Sequence, residues 1–170
     1  DGRSNGITAP HRWAQKQVLT SAYRDAGVAP EQIDFVEAHG TGTVLGDMIE
    51  AKALGDVHGR GSGRAAPCAI GSIKGNLGHT EGAAGIAGLI KAALSLHHGI
   101  LPPSRFADEP NPQLRLADNG LRLADAPTEL PGRVVRAGVS SFGIGGTNAH
   151  IVLASAPAAR DDTVAAPSRA

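Results

Sequence analysis

The chain has 170 residues, 41% of them hydrophobic, with 16 basic and 16 acidic side chains in balance. That composition builds a packed core rather than a disordered tail, and the lack of a basic stripe or patch argues against nucleic-acid and membrane partners. The lone cysteine, Cys68, rules out a disulfide framework or Cys-rich zinc site and suits a reducing cytoplasm, and no apolar run reaches the length of a membrane span.

The chain opens at Asp1-Gly2-Arg3-Ser4-Asn5-Gly6 without an initiator Met or a signal peptide, which reads as a loop cut from something longer. Helical spacing runs from Arg12 to Ala26, with Ala14, Val18, Ala22 and Ala26 on one stripe and Trp13 beside it. Pro10 precedes this helix and Gly27 stops it. Ile33 to Ala38 reads as a short strand running into the turn His39-Gly40-Thr41-Gly42-Thr43. A second helix is expected from Asp47, which forms a capping-box pattern with Glu50; Ile49, Ala53 and Val57 give its apolar face, and Gly59 ends it.

Cys68-Ala69-Ile70 reads as a short buried strand, followed by a turn from Gly71 to His79. The third predicted helix, Glu81 to His98, is the most apolar, with Ile86, Leu89, Ile90, Ala93, Leu94 and His97 as its expected buried stripe. Gly82, Gly85 and Gly88 line another side. Each glycine inside a helix costs about 1 kcal/mol relative to Ala, so a very close neighbouring backbone is expected there. Residues 101–133 are loop-rich, and two strands follow, Val134 to Phe142 and Thr147 to Ala154, joined by Gly143-Ile144-Gly145-Gly146. From Pro157 the aperiodic Ala, Pro, Arg and Asp read as a flexible linker over 157–170. Strands alternating with helices indicate an α/β sheet with helices packed on it.

Three loops at strand ends carry the unusual residues: His39, Thr41 and Thr43; Lys74, Asn76 and His79; and Gly143 to Gly146 followed by Asn148. Sites in open α/β sheets form where strand ends release loops. Imidazoles supply N–H donors or a proton acceptor, and a Gly-rich turn exposes backbone N–H groups to an oxyanion. His79 stands just ahead of a predicted helix N-terminus, whose dipole disfavours an imidazolium, so a neutral His79 can donate N–H to a developing enolate. Lys74, five residues earlier, adds positive potential. His97 and His98 are adjacent on a helix and point apart, so packing explains them better than metal; no metal site is expected. Cys68, in its apolar strand, reads as core.

Three motifs carry a resemblance. Glu37 to Thr43 reads EAHGTGT, Ser72 to Gly85 reads SIKGNLGHTEGAAG, and Ser140 to His150 reads SSFGIGGTNAH. In this order they resemble the ketosynthase domain of type I polyketide synthases and related fatty-acid condensing enzymes, with residues 1–156 as its C-terminal portion. The resemblance implies half of a thiolase-like fold, a βαβαββ-type unit, and decarboxylative Claisen condensation of an acyl thioester with a malonyl-type extender. It implies that His39 and His79 are the catalytic histidines and Lys74 tunes them. Thr41 and Thr43 then hold the phosphopantetheine arm, and Phe142 packs beside the nucleophile. The Gly143-Ile144-Gly145 backbone meets the acyl group, with Ile144 N–H as half of the oxyanion hole. No cofactor is bound directly; phosphopantetheine arrives on acyl carrier protein. The implied partners are that carrier, the remaining N-terminal half and a second copy in a homodimer.

Two positions depart from the family pattern. Ile144 stands where discrete fatty-acid enzymes carry a gating Phe, which favours the modular polyketide type. Gly88 stands where those enzymes carry a Glu that pairs with the lysine. Nothing matches the nucleophilic Cys, so these residues alone should form no acyl-enzyme. A non-elongating domain, which decarboxylates or merely binds chains, and a purely structural segment are the alternatives; intact His39, Lys74 and His79 argue against the last.

Overall fold

The computed structural model describes residues 10–105 and 107–156, the side chain of residue 60 aside. The expected opening loop at 1–9 and the expected linker at 157–170 lie outside the described residues. The elements that position the site are α1 (Arg12–Asp25), β1 (Phe35–Glu37), α2 (Val44–His58), β2 (Cys68–Gly71), the single turn α3 (Lys74–Leu77) and α4 (Ala84–His98). They continue as β3 (Ile100–Leu101), β4 (Leu121–Leu123), β5 (Thr128–Glu129), β6 (Arg136–Phe142) and β7 (Asn148–Ala154). The main sheet runs β4-β2-β1-β6-β7, parallel throughout except for the antiparallel β6–β7 hairpin.

Side-chain alternation along the strands splits the core into two clusters. On one face Val36, Ala38, Cys68 and Ile70 pack with Leu19 and Tyr23 of α1 and Ala51, Leu54 and Val57 of α2. On the other, Phe35, Ala69, Ala137 and Val139 pack with Ala92 of α4. Strands covered on both faces read as continuous apolar runs, as the Cys68 strand does.

Four expectations need correction. The fifth strand, β4, comes from the stretch expected to be loop; three residues beside a long connection leave no readable period. In α1 the buried residues are Ala14, Gln15, Leu19 and Tyr23, while Ala26 and Trp13 are exposed. The helix turns its heavier Leu19–Tyr23 side inward, so of the expected stripe Ala14 is buried, Val18 and Ala22 are half-buried and Ala26 is exposed. Helix α2 starts at Val44 rather than Asp47, and the capping box does not form. Both acidic side chains are used by the preceding loop instead.

The largest correction concerns α4. Its buried residues are Ala84, Gly88, Ala92 and Ser95, whereas Ile86, Ile90 and Leu94 are 52%, 53% and 51% exposed. The small side is the one that approaches the sheet: a Cβ on Gly85 would come 3.1 Å from Ser141 Oγ, and one on Gly88 3.1 Å from Glu37 Cγ. A helix apolar all round is built to be covered on two sides. One side meets the sheet here, and the other, with Ile73, Leu77 and Ile100, frames an open apolar groove of about 440 Å³. Fully covering each of those large side chains would add on the order of 1 kcal/mol.

Candidate active site

The C-terminal ends of β2, β1 and β6 lie side by side in the sheet, so the loops they release converge. From β1 comes His39, from β2 come Lys74 and His79, and from β6 come Phe142 and the glycine turn. The His39 and His79 rings meet edge to face, with centroids 5.5 Å apart and planes at 87°. Phe142 closes the group at 5.5 Å from the His39 ring. Residues far apart in sequence thus face one small volume.

The His39 loop is held from below. Glu50 of α2 is buried, and its two carboxylate oxygens accept the N–H groups of His39 and Gly40, each at 2.8 Å. Asp47 accepts from Gly42 N–H at 3.2 Å. Gly40 has φ +42°, and a Cβ there would fall 2.7 Å from Ser72 Cβ, so only glycine lets this loop cross the Ser72 turn. Thr41 and Thr43 share a hydrogen bond at 3.1 Å between their hydroxyls. They sit over Gly46, where a Cβ would strike Thr43 Oγ1 at 2.4 Å.

Burial pushes the His39 imidazole down to about 4, with the nearby positive Lys74 and then His79 adding to the effect. His39 is therefore neutral at pH 7. Its Nδ1 is buried without a hydrogen-bond partner among the described residues. His79 is exposed, and its Nδ1 accepts the N–H of Glu81 at 3.0 Å. A nitrogen that accepts a hydrogen bond carries no proton, so the ring proton of His79 sits on Nε2, which presents an N–H donor. Burial lowers Lys74 from the usual lysine range, opposed by the carboxylates of Glu50, Glu37 and Asp47. Full burial raises Glu50 to about 7, restrained by the two N–H groups it accepts.

The β6–β7 turn is closed by Gly143 N–H to the Thr147 carbonyl at 2.8 Å and Gly146 N–H to the Gly143 carbonyl at 3.0 Å. Ile144 is 75% exposed, and its N–H meets no acceptor among the described residues. Gly143 and Gly145 are likewise exposed. Every residue singled out in the sequence as a site candidate thus lies on one of the three convergent loops or, for Phe142 and Asn148, at the strand ends that flank one. Cys68 lies apart, fully buried in β2, with burial pushing its thiol up to about 11. That is an inert core thiol and not a nucleophile.

Sequence reasoning misses the supports. Glu50 and Asp47 read as a helix cap, and Glu37 reads as a strand residue that opens the EAHGTGT motif, with no role of its own. The available signal is a carboxylate inside a buried parallel strand, which demands a partner. That partner is Lys91, whose Nζ lies 2.6 Å from Glu37 Oε2.

The β-ketoacyl synthase C-terminal domain model matches residues 1–107, and the ketoacyl-synthetase C-terminal extension model matches residues 110–169. A phenolphthiocerol/phthiocerol polyketide synthase from Mycobacterium tuberculosis is 56% identical over 155 residues, covering 90% of this chain and 8% of that protein. Pikromycin polyketide synthase component PikAIII from Streptomyces venezuelae is 47% identical over 171 residues, covering 98% of this chain and 11% of that protein. Among solved structures, the ketosynthase from module 1 of the bacillaene synthase of Bacillus amyloliquefaciens superposes with a TM-score of 0.84 at 44% identity, over 92% of this chain and 30% of that one. The chain therefore spans about a tenth of the curated relatives and under a third of the solved domain.

Proposed function

The chain belongs to the β-ketoacyl synthase family, as the C-terminal part of a polyketide-synthase ketosynthase domain with a thiolase-like fold, and from that premise we propose that it supplies the decarboxylating half of a Claisen condensation. A malonyl-type thioester, carried on the phosphopantetheine arm of an acyl carrier protein, enters between His39 and His79. The bond from its α-carbon to the carboxylate breaks, CO₂ leaves, and the electron pair forms an enolate whose oxygen takes N–H donation from the two imidazoles. The α-carbon then attacks an acyl thioester on a nucleophile outside these 170 residues. A carbon–carbon bond forms, the thiol leaves, and a β-ketoacyl thioester remains on the carrier.

One observation supports this reading above the others: two imidazole rings 5.5 Å apart and perpendicular, one from each of two adjacent strand ends. A single carbonyl oxygen can accept from both. His39 is neutral through the physiological range, and His79 is held in the Nε2–H form. Preorganised donors aimed at a developing oxyanion lower the barrier without reorganising. Lys74 adds positive potential at the same end of the sheet. The hydroxyls of Thr41 and Thr43 suit the amides of the arm, Ile144 N–H suits the acyl oxyanion, and Phe142 walls the nucleophile's side. The uncovered face of α4 is where the remainder of the ketosynthase domain would pack.

The test uses the intact ketosynthase domain containing this chain, with malonyl-acyl carrier protein and an acyl donor. Both CO₂ release and β-ketoacyl product are expected, and His39→Ala should reduce both by a factor of at least about 10². CO₂ release without product would identify a non-elongating domain. Absence of both would reject the condensing reading.

A further inference from the structure

We propose that Glu37, paired with Lys91, is the positioning residue that sets the Lys74 turn against the His39 loop. The inference rests on the condensing reading above and extends it to residues with no place in the reaction scheme. Glu37 and Lys91 form an ion pair of 2.6 Å with side chains only 3% and 10% exposed, at the contact between β1 and α4. A buried ion pair rarely outperforms an apolar pair in stability, because both charges have lost their water. Its presence in this contact therefore calls for another reason.

The second carboxylate oxygen supplies one. Glu37 Oε1 accepts the N–H of Ile73 at 2.5 Å, on the residue directly before Lys74. One carboxylate thus ties β1, the turn after β2 and α4 together, two residues before His39 on the same strand. Lys91 meets the charge on the carboxylate's other oxygen, which lets a buried carboxylate stay turned towards Ile73; a neutral amide there has no such need.

The surrounding glycines are cleared for this arrangement. A Cβ on Gly88 would come 3.1 Å from Glu37 Cγ, and one on Gly71 would come 3.3 Å from Lys91 Nζ. Any larger residue on the facing turn of α4 would press on the carboxylate. Glu50 first, and then Glu37, favour the ammonium form of Lys74 against the cost of burial. The position of the lysine that faces His39 therefore traces to Glu37, while its charge does not rest on Glu37 alone.

Two double variants of the intact ketosynthase domain test this with malonyl-pantetheine thioester as the probe. Glu37→Leu with Lys91→Met removes both charges and the acceptor. We expect it to melt near the parent, with kcat for CO₂ release at least about tenfold lower, since small misplacements of a site are costly, and KM within about twofold. Glu37→Gln with Lys91→Met keeps a carbonyl for Ile73 N–H and should return kcat to within about threefold of the parent. A folded Leu/Met variant with parental kcat overturns the proposal. So does a folded Gln/Met variant with a tenfold loss, and that variant decides alone if Leu/Met does not fold. A parent domain that releases no CO₂ overturns the condensing reading itself, a result distinct from either.

Discussion

His39 and His58 are both pushed down to about 4 by burial, and His150 further, to about 3. Yet they occupy opposite kinds of surroundings. His58 is 1% exposed, its Nε2 bonds Tyr23 Oη at 2.8 Å, and His150 Nδ1 bonds Ser140 Oγ at 3.0 Å. The rings of Tyr23 and His150 stack edge to face at 5.1 Å between α1 and the β6–β7 hairpin. This is a polar knot inside the core, closed to any substrate. His39 and His79 instead sit on loops at the strand ends, one half-buried and one exposed. A depressed imidazole therefore does not mark a site by itself. Exposure and convergence with other loops separate the candidate site from packing.

Mutation should break the two groups in different ways. In the intact domain, His39→Ala or His79→Ala should cut decarboxylation by about 10²–10⁴-fold while the melting temperature barely moves. His58→Ala or His150→Ala should instead cost about 2–4 kcal/mol of stability, read by urea denaturation, with kcat per folded molecule unchanged. Activity lost at His58 without lost stability would erase the distinction.

Acid should sharpen it. His58 and His150 are neutral when folded but take up protons below about 6.5 once unfolded. Their folded values are depressed, so their contribution is fully present above about 6.5 and declines as pH falls towards about 4 and 3. A loss of a few kcal/mol across that window is expected from circular dichroism at a series of pH values. Replacing both histidines with Gln should flatten it.

A smaller effect is expected at Cys68. Cys68→Ser places a hydroxyl in the buried β2 environment and should cost about 1–2 kcal/mol. Acyl loading of the intact domain, followed by mass spectrometry, should be unaffected, and an acyl group found on Cys68 would contradict its place in the core. The smallest effect is expected at Ile144. Ile144→Phe on its exposed turn should shift stability by less than about 0.5 kcal/mol while changing which acyl chains are accepted.

The site is largely legible in the sequence because it is local. EAHGTGT, SIKGNLGH and FGIGG each place candidate site residues beside the glycines that shape their loop. What the sequence hides is pairwise and distant. Glu50 supports His39 from eleven residues away and mimics a helix cap, and Lys91 meets Glu37 across 54 residues. Periodicity also selects the wrong face of α4, since larger side chains carry the stronger apolar signal while Gly88 and Ala92 allow the closer approach. Strand β4 is too short to show a period at all.

Two imidazoles donating N–H to one carbonyl oxygen are the centre of the proposed mechanism. The most direct test compares His79→Gln with His79→Ala in the intact domain, following CO₂ release from malonyl-pantetheine between pH 5 and 8 in steps of about one unit. A glutamine amide donates N–H without titrating, so His79→Gln should retain at least about tenfold more activity than His79→Ala, with the pH profile of the parent. Equal loss in both variants, or a parent rate that requires a protonated histidine, would contradict it.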